Sequence, residues 1–208
     1  MKAFTLLTLA GSIMIAAGTS SVAEEAKADE PVFQDLFNGK DLTNFKKQNA
    51  DKFWRIEDGV LIGEGKGGKG HYLWSEESFG DFILEFDGRW HGPTKRGADT
   101  GIEMRKPIIQ LQLGISGSLR VDMTGSYYIG HYPKEGQAKN FKELMKPEGE
   151  FNHFRIQAKG DTFTCWINGK QASQYTNKKY TGAAPIAFQI HKNVKMTCEF
   201  KNIRIAKL

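Results

Sequence analysis

The sequence of 208 residues lacks any long hydrophobic run beyond its first 23 residues, which argues against a membrane span in the rest of the chain. The first 23 residues combine Lys2, an apolar stretch over residues 3–17 and small residues up to Ala23. This pattern predicts a signal peptide over residues 1–23, cleaved after Ala23, and therefore a secreted or periplasmic bacterial protein. A retained membrane anchor is the alternative, although the apolar stretch is short for a span.

The sequence also lacks a cluster of basic residues. Without Lys2, the 29 lysines and arginines become 28 against 24 acidic residues, a net charge of +4 for the predicted mature chain. These charges are spread singly from Lys40 to Lys207, with no basic stripe interleaved with aromatic residues. The distribution argues against a nucleic-acid interface.

Cysteine is scarce, since Cys165 and Cys198 are the only two in the chain. In an exported protein they could be oxidised to a single disulfide. Two small buried thiols on core strands are the alternative, and the sequence leaves both open.

Helical periodicity is nearly absent, and only residues 140–145 have a brief helical pattern. Residues 24–31 are acidic and alanine-rich and predict a flexible leader, while residues 32–208 predict one domain. The dipeptides Asp58-Gly59 and Asn168-Gly169 each lie between strand-like runs and predict tight hairpins. The chain is thus predicted to be all-β, with two antiparallel sheets packed as a sandwich. Further strands are predicted over residues 82–90, 100–105, 108–113, 126–129, 151–158, 186–191 and 194–205.

Several predicted strands carry an unusual polar face. In the stretch IIQLQLG, Gln110 and Gln112 alternate with apolar residues and therefore share one side of a strand. The same alternation pairs Glu103 with Arg105, Gln189 with His191 and Asp87 with Arg89. Amides, carboxylates and guanidinium groups supply both donors and acceptors to hydroxyl groups. These faces predict a polar cavity for a hydroxyl-rich ligand, and an ordinary solvent-facing sheet is the alternative.

Several familiar chemical patterns are incomplete. The glycine-rich segment over residues 63–70 has Gly70 where a phosphate loop requires Ser or Thr, and no helix pattern follows it. Glu85 and Asp87 alternate like the acids of a retaining glycosidase, but Arg89 occupies the third position. The five histidines show no metal-binding spacing, and His191 is the one that shares a strand face with polar residues.

Seven segments occur in order along residues 32–208: FQDLFNGKDLTNF, FWRIEDGVLIGEG, FGDFILEFDGRW, ADTGIEMR, FNHFRIQAKGDTFTCWINGK, IAFQIH and EFKNIRIAKL. Together they resemble the 3-keto-disaccharide hydrolase domain, also described as 3-keto-alpha-glucoside 1,2-lyase/3-keto-2-hydroxy-glucal hydratase. The resemblance implies a concanavalin A-like jelly-roll sandwich in an exported bacterial protein.

The resemblance also implies a reaction. A ketone at C3 of a glycoside acidifies the C2 proton, so that a base can remove this proton while the C1 substituent leaves. Water then adds to the enone. Such an elimination needs a base, a group that polarises the ketone and a proton donor for the leaving oxygen. The resemblance leaves room for a divalent metal ion as the polarising group.

The resemblance extends to individual residues. His191 is thereby a candidate base, and Glu103 is the second candidate, on strand parity alone. Seven further residues would orient a carbohydrate or 3-keto-glycoside substrate: Asp87, Arg89, Asp99, Arg105, Gln110, Gln112 and Gln189.

One position departs from the family pattern. Gln110 stands where the family usually carries glutamate, and an amide neither holds a proton at neutral pH nor offers charge to a cation. By strand parity, Glu103 on the neighbouring strand would restore the carboxylate. The alternative function is a non-catalytic glycan-binding domain that kept the fold and lost the acid, and a structural envelope module is a third class.

Overall fold

The fold consists of thirteen strands with very little helix. The computed structural model describes Met1 and residues 31–93 and 97–208. The strands are β1 (Gln34–Asp35), β2 (Trp54–Glu57), β3 (Val60–Lys66), β4 (His71–Phe79), β5 (Phe82–His91), β6 (Asp99–Met104), β7 (Ile109–Gly114), β8 (Tyr127–Tyr128), β9 (Asn152–Lys159), β10 (Thr162–Ile167), β11 (Lys170–Thr176), β12 (Ala184–Ile190) and β13 (Lys195–Lys207). Short 3-10 turns lie at Ala50–Lys52 and Lys134–Gly136, and α1 is the single turn Phe141–Leu144.

The strands form two antiparallel sheets. The larger sheet has the order β11-β10-β9-β5-β13-β3-β2, with β1 added against β13. The smaller sheet has the order β4-β12-β6-β7-β8. The predicted all-β sandwich of two antiparallel sheets is confirmed.

The core lies between the two sheets and is rich in phenylalanine. Phe188 of the smaller sheet packs against Phe86 and Phe200 of the larger sheet, with ring centroids 5.9 and 4.9 Å away. Phe86 also stacks on Phe154, at 5.2 Å. All four side chains are fully buried, and each such burial contributes about 1.5–3 kcal/mol to folding.

Both predicted tight hairpins form. Asp58-Gly59 joins β2 to β3 with φ of 50° and 77°, and Asn168-Gly169 joins β10 to β11 with φ of 50° and 81°. Two consecutive positive φ values define the type I′ turn, which matches the twist of antiparallel strands. Asp and Asn tolerate the first position and glycine the second, so the sequence at these turns determines their shape.

The strand prediction missed β4. Its sequence, HYLWSEESF, places two glutamates side by side and breaks the alternation, and β4 lies at the edge of the smaller sheet. Its pairing with β12 shifts register between Pro185 and Ala187. An irregular edge strand of this kind carries no clean period of two. The predicted helix over residues 140–145 corresponds to the single turn α1.

The two cysteines are free thiols. Cys165 lies in β10 and Cys198 in β13, and both are fully buried. Of the two alternatives that the sequence left open, the structure has the buried thiols.

The predicted signal peptide lies outside the described residues except for Met1, as does all of the predicted leader except Pro31. Among residues 31–93 and 97–208, no helix combines the length and the apolar character that crossing a membrane requires.

Candidate functional site

A polar cavity of about 310 Å³ opens on the outer face of the smaller sheet. The walls of this cavity include six of the residues singled out in the sequence: Asp99, Glu103, Gln110, Gln112, Gln189 and His191. All but His191 are buried as residues, so their polar groups meet in a confined space. The sandwich therefore gathers side chains from three separate strands, together with His191 just after β12, into one place.

Register and alternation explain this convergence. Glu103 of β6 pairs with Gln110 of β7, which pairs in turn with Tyr128 of β8. Gly101 pairs with Gln112 one step along the same two strands. Because side chains two residues apart share a face, the side chains of Glu103, Gln110 and Gln112 point outward from the sheet, while Ile102 and Leu111 fill the core.

The three glutamines bind one another. The Nε2 group of Gln110 donates to Gln112 Oε1 at 3.2 Å and to Gln189 Oε1 at 3.3 Å. Gln112 Nε2 donates to Asp99 Oδ1 at 2.9 Å, and the backbone N–H of Gly117 donates to the other Asp99 oxygen at 2.8 Å. These buried amides are held in place by their own hydrogen bonds, so they present fixed groups to a ligand.

Gly101 provides the space that the Gln110 side chain occupies. A Cβ atom on Gly101 would lie 2.3 Å from Gln110 Nε2 and 2.8 Å from the backbone oxygen of Leu111. Only glycine lets the amide of Gln110 lie across the neighbouring strand in this way.

Glu103 is a buried carboxyl group on the wall of the cavity. Its residue is 7 % exposed. Burial raises the pKa of Glu103 above its usual range, and a hydrogen bond from Tyr72 lowers it only in part. A carboxylate that is poorly solvated in this way is suited to take up a proton from a ligand.

His191 lies beside Asp99, at the other end of β6 from Glu103. Its Nδ1 atom is 2.8 Å from the backbone oxygen of Lys192 and 3.9 Å from Asp99 Oδ2. Because a carbonyl oxygen only accepts hydrogen bonds, the proton of the neutral ring belongs on Nδ1. Nε2 is then the acceptor nitrogen.

Three tyrosines of the cavity were not singled out from the sequence. Tyr132 donates to Gln112 Oε1 at 3.0 Å, and burial raises its pKa to about 12. Tyr72 accepts a hydrogen bond from Gln189 Nε2 at 3.0 Å, and the ring of Tyr128 is tilted against that of Tyr132, with 4.9 Å between centroids. Tyr72 was missed because its strand, β4, was missed. The dipeptide Tyr127-Tyr128, whose members point to opposite sides of a predicted strand, was the available signal for Tyr128.

The structure does not place Arg105 with this group. The alternation ends at Met104, since Arg105 has φ of 67° and begins the turn to β7. Its guanidinium group is buried, donates to Asp81 Oδ1 at 2.8 Å and lies about 6 Å from the ring centroids of Phe82 and Phe163. The inference that Arg105 shares the face of Glu103 is therefore wrong, because a residue with left-handed backbone interrupts the strand.

Asp87 and Arg89 also lie elsewhere, on the outer face of the larger sheet. Asp87 accepts hydrogen bonds from Asn202 Nδ2 at 2.6 Å and pairs with His153 Nδ1 at 3.0 Å. Arg89 forms an ion pair with Glu199 at 2.6 Å. Strand parity gave their face correctly, but their strand, β5, belongs to the other sheet.

The donor set does not fit a dedicated metal site. Within residues 31–93 and 97–208, no three side chains of His, Cys, Asp or Glu converge to hold an ion. In the cavity the neutral amides of Gln110 and Gln112 lie between Glu103 and Asp99, whereas hard divalent cations favour charged oxygen ligands.

Residues 32–206 match the sequence model of the family described as the 3-keto-alpha-glucoside-1,2-lyase-like domain. No curated protein matches the chain in sequence.

Solved structures share the fold. A glycosyl hydrolase-like protein from Parabacteroides distasonis ATCC 8503 is 23% identical with a TM-score of 0.63, and the match covers 85% of this chain and 84% of that one. The kappa-carrageenase of Pseudoalteromonas carrageenovora, solved with an oligotetrasaccharide, is 11% identical with a TM-score of 0.58, over 89% and 98% of the chains. The carbohydrate binding module CBM66 of Bacillus subtilis is 13% identical with a TM-score of 0.54, over 74% and 91%. These similarities confirm the jelly-roll sandwich.

Proposed function

The chain belongs to the 3-keto-alpha-glucoside-1,2-lyase-like domain family, and on that premise we propose that it cleaves 3-keto-glycosides by elimination across C1 and C2, followed by hydration. The observation that carries the proposal is the position of Glu103. This carboxyl group has a raised pKa and lies in a cavity walled by groups that bind hydroxyls. The cavity thus combines a proton acceptor with a ligand-orienting surface.

Glu103 acts as the base of the elimination. The C2 proton of a 3-keto-sugar is acidic because the electrons of the C–H bond can move into the neighbouring carbonyl group. The Glu103 carboxylate takes this proton, and the resulting carboxylic acid returns it to the oxygen that leaves C1. A raised pKa favours both transfers, since it makes the carboxylate a stronger base and brings the pKa closer to neutral pH.

The other polar groups hold the sugar. Gln110 keeps its carbonyl oxygen for a ligand hydroxyl, because its Nε2 group is occupied by Gln112 and Gln189. His191 offers Nε2 as an acceptor to a sugar hydroxyl or to the water that hydrates the enone. Together they fix the ring so that C2 faces Glu103.

Ordinary hydrolysis by two carboxylates fits this geometry poorly. Glu103 and Asp99 are four residues apart on one strand, about 13 Å at the backbone for a rise of roughly 3.3 Å per residue. Asp99 is also fully engaged by Gln112 and the Gly117 backbone. Glycosidases place their acids about 5–9.5 Å apart around the scissile bond.

We also propose that the protein works outside the cytoplasm. This proposal rests on the signal-like pattern of residues 1–23. Expression of the full chain in a bacterium, followed by fractionation and N-terminal sequencing, tests it. The expected mature protein begins at Glu24, and a product that retains Met1 in the cytoplasmic fraction contradicts it.

The first test uses 4-nitrophenyl 3-keto-glucosides of both anomers, with release of nitrophenol as the readout. We expect release from at least one oxidised anomer and none from the unoxidised glucosides, whose C2 proton is not acidic. Glu103→Gln should lower kcat by about 10²–10⁴-fold, because the amide cannot accept the proton. His191→Asn should mainly raise KM.

The matched controls are Glu143→Gln, an exposed carboxylate on α1, and His153→Asn, a histidine of the other sheet. Both should retain wild-type kinetics. Equal release from oxidised and unoxidised glucosides would contradict elimination and favour ordinary hydrolysis.

A second function, glycan binding without turnover, is favoured by one observation. The resemblance noted for the sequence implies that Gln110 replaces a family glutamate, and its amide is held by two hydrogen bonds. Calorimetry with the same oxidised sugars separates the two functions. Binding without release of nitrophenol by the wild-type protein supports the binding function.

A further inference from the structure

The hydrogen bonds of the cavity have a direction that two acceptor groups fix. The Asp99 carboxylate and the Leu113 backbone oxygen only accept, so Gln112 must turn its Nε2 group toward them, at 2.9 and 3.1 Å. Gln112 Oε1 then faces away and accepts from Gln110 Nε2 at 3.2 Å. A reversed Gln112 amide would bring two acceptor oxygens together and leave buried polar groups unsatisfied, which is unfavourable.

The direction continues across the sheet to Tyr72. Gln110 Nε2 also donates to Gln189 Oε1, so Gln189 presents its own Nε2 group to the Tyr72 hydroxyl oxygen, at 3.0 Å. The chain of bonds therefore runs from β6 through β7 and β12 to β4. Since the Tyr72 oxygen accepts from Gln189, its proton is left for Glu103 or for a ligand in the cavity.

This inference rests on the proposed function. We infer that Tyr72 donates its hydroxyl hydrogen bond to the C3 oxygen of the 3-keto-glycoside and stabilises the negative charge that develops there. C2 and C3 are adjacent in the sugar, as Glu103 and Tyr72 are adjacent in the cavity. Tyr72 is then the polarising group of the elimination, in a cavity whose donor set does not fit a metal ion.

The steps balance without any further reagent. Glu103 takes the C2 proton, the C–H electron pair forms a double bond between C2 and C3, and the carbonyl electrons move to the C3 oxygen. Tyr72 keeps its proton and holds that oxygen by a hydrogen bond. When the C3 carbonyl reforms, the electron pair moves between C1 and C2, and the C1–O bond breaks. The leaving oxygen takes the proton from Glu103.

The environment of Tyr72 suits a group that donates a hydrogen bond but keeps its proton. Burial is the main cause of the raised pKa of Tyr72. The hydrogen bond from Gln189 lowers this pKa in part, and the charge of the neighbouring Glu103 raises it further. A neutral phenol at all working pH values is what a hydrogen-bond donor to an enolate requires.

The test isolates enolate formation from departure of the leaving group. 3-Keto-1,5-anhydroglucitol has no leaving group at C1, so exchange of its C2 proton in D₂O, followed by NMR, reports only the base and the polarising group. Removing one such donor costs about 10²–10³-fold in rate. Tyr72→Phe should therefore slow exchange, and nitrophenol release from the active 3-keto-glucoside, by that factor with little change in binding.

Tyr180→Phe is the matched control, since Tyr180 lies between β11 and β12, outside the cavity wall. It should exchange at the wild-type rate. Thermal melting checks that Tyr72→Phe still folds: the residue is 40 % exposed, but Gln189 Nε2 loses its acceptor, so we expect a lower unfolding temperature in a protein that is folded under assay conditions.

Asp99→Asn tests the direction of the chain. Asparagine can donate as well as accept, so only the Leu113 oxygen still orients Gln112, and Tyr72 is held less firmly in its role. We expect slower exchange in this variant, and a double variant no slower than Tyr72→Phe alone, because Asp99 acts through Tyr72 as a positioning residue.

The outcomes separate the two proposals. If Tyr72→Phe exchanges and cleaves like the wild type, or if a chelator stops the wild type and a divalent ion restores it, the role of Tyr72 is overturned while the elimination stands. If the wild type neither exchanges nor cleaves, the proposed function fails and the role of Tyr72 fails with it.

Discussion

A glutamine side chain donates at one end and accepts at the other, and this asymmetry governs what Gln110 does in the cavity. Its donor end serves two neighbouring oxygens, on Gln112 and Gln189, and Gly101 leaves room for it. The residue is thus a member of a chain of hydrogen bonds. The sequence identified the residue, but its orientation depends on Gln112 of its own strand and on Gln189 of β12.

Gln110→Glu therefore should not raise activity. A carboxylate cannot donate to Gln112 or Gln189, and it would face Glu103 directly across the strand pair. We expect the free energy of unfolding to fall by about 1–3 kcal/mol and turnover of 3-keto-glucosides to fall as well. Urea titration and the nitrophenol assay measure the two effects.

Gln171→Glu, at an exposed position on β11, is the control and should change neither quantity. A Gln110→Glu variant that is as stable as the wild type and turns over faster would show that the amide merely replaced a catalytic acid.

At the scale of the strands, the end of β6 determines which polar residues meet. Arg105 is a non-glycine residue with φ of 67°, and its side chain leaves the cavity for the neighbourhood of Phe82 and Phe163. There it donates to the Thr181 and Gly160 backbone oxygens and to Asp81. The arginine thereby ties the turn after β6 to the turns before β5 and after β9.

Asp81→Asn tests this structural role. Burial alone would raise the pKa of Asp81, but the hydrogen bonds from Arg105 and the Gly160 N–H, with the charge of Arg105, hold it below its usual range. The ion pair therefore stabilises the fold above the pKa of the unfolded chain, and this stability is lost as the pH falls through the lower pKa of the folded state.

We expect Asp81→Asn to lower the free energy of unfolding at pH 7 by about 1–2 kcal/mol, a modest value because the Asp81 side chain is 37 % exposed. The difference from wild type should shrink in acid, and KM for 3-keto-glucosides should not change. Asp51→Asn, an exposed position, serves as control. A large rise in KM would instead indicate that Arg105 contributes to substrate binding.

Alternation predicted much of the site at this scale. The period of two placed Glu103, Gln110, Gln112 and Gln189 on outward faces, and all four line the cavity. It failed at Arg105, where left-handed backbone ended the strand, and at Tyr72, whose edge strand has a register shift. Both failures come from local irregularities that a periodic pattern does not encode.

For the whole molecule, the sequence predicted two sheets but not the sheet to which each strand belongs. Asp87 and Arg89 face outward from β5 as expected, yet β5 lies between β9 and β13 in the larger sheet. The partners of β5 are set by contacts between residues distant in the sequence, such as Phe86 and Phe154, which are more than 60 positions apart. Alternation along a single sequence therefore predicts which face of a strand is polar, but it does not predict which strands are neighbours in a sheet.

The two buried thiols give a test of the whole fold. Burial raises the pKa of Cys198 to about 12 and that of Cys165 further, and only a thiolate attacks a disulfide reagent. We expect Ellman's reagent to detect neither thiol in the native protein and both after unfolding without reductant. The unfolding temperature should be the same with and without dithiothreitol. Absence of free thiols in the unfolded, unreduced protein would mean that a disulfide had formed.

The first and last strands of the domain pair with each other, Gln34 with Ile205, in antiparallel register. The polypeptide consequently enters and leaves the sandwich at neighbouring points, on the sheet opposite the cavity. Such a unit can be inserted into a surface loop of another protein, or fused at either end to a carrier, without stretching across its own binding face. The arrangement makes this domain suitable for fusion to other proteins at either end.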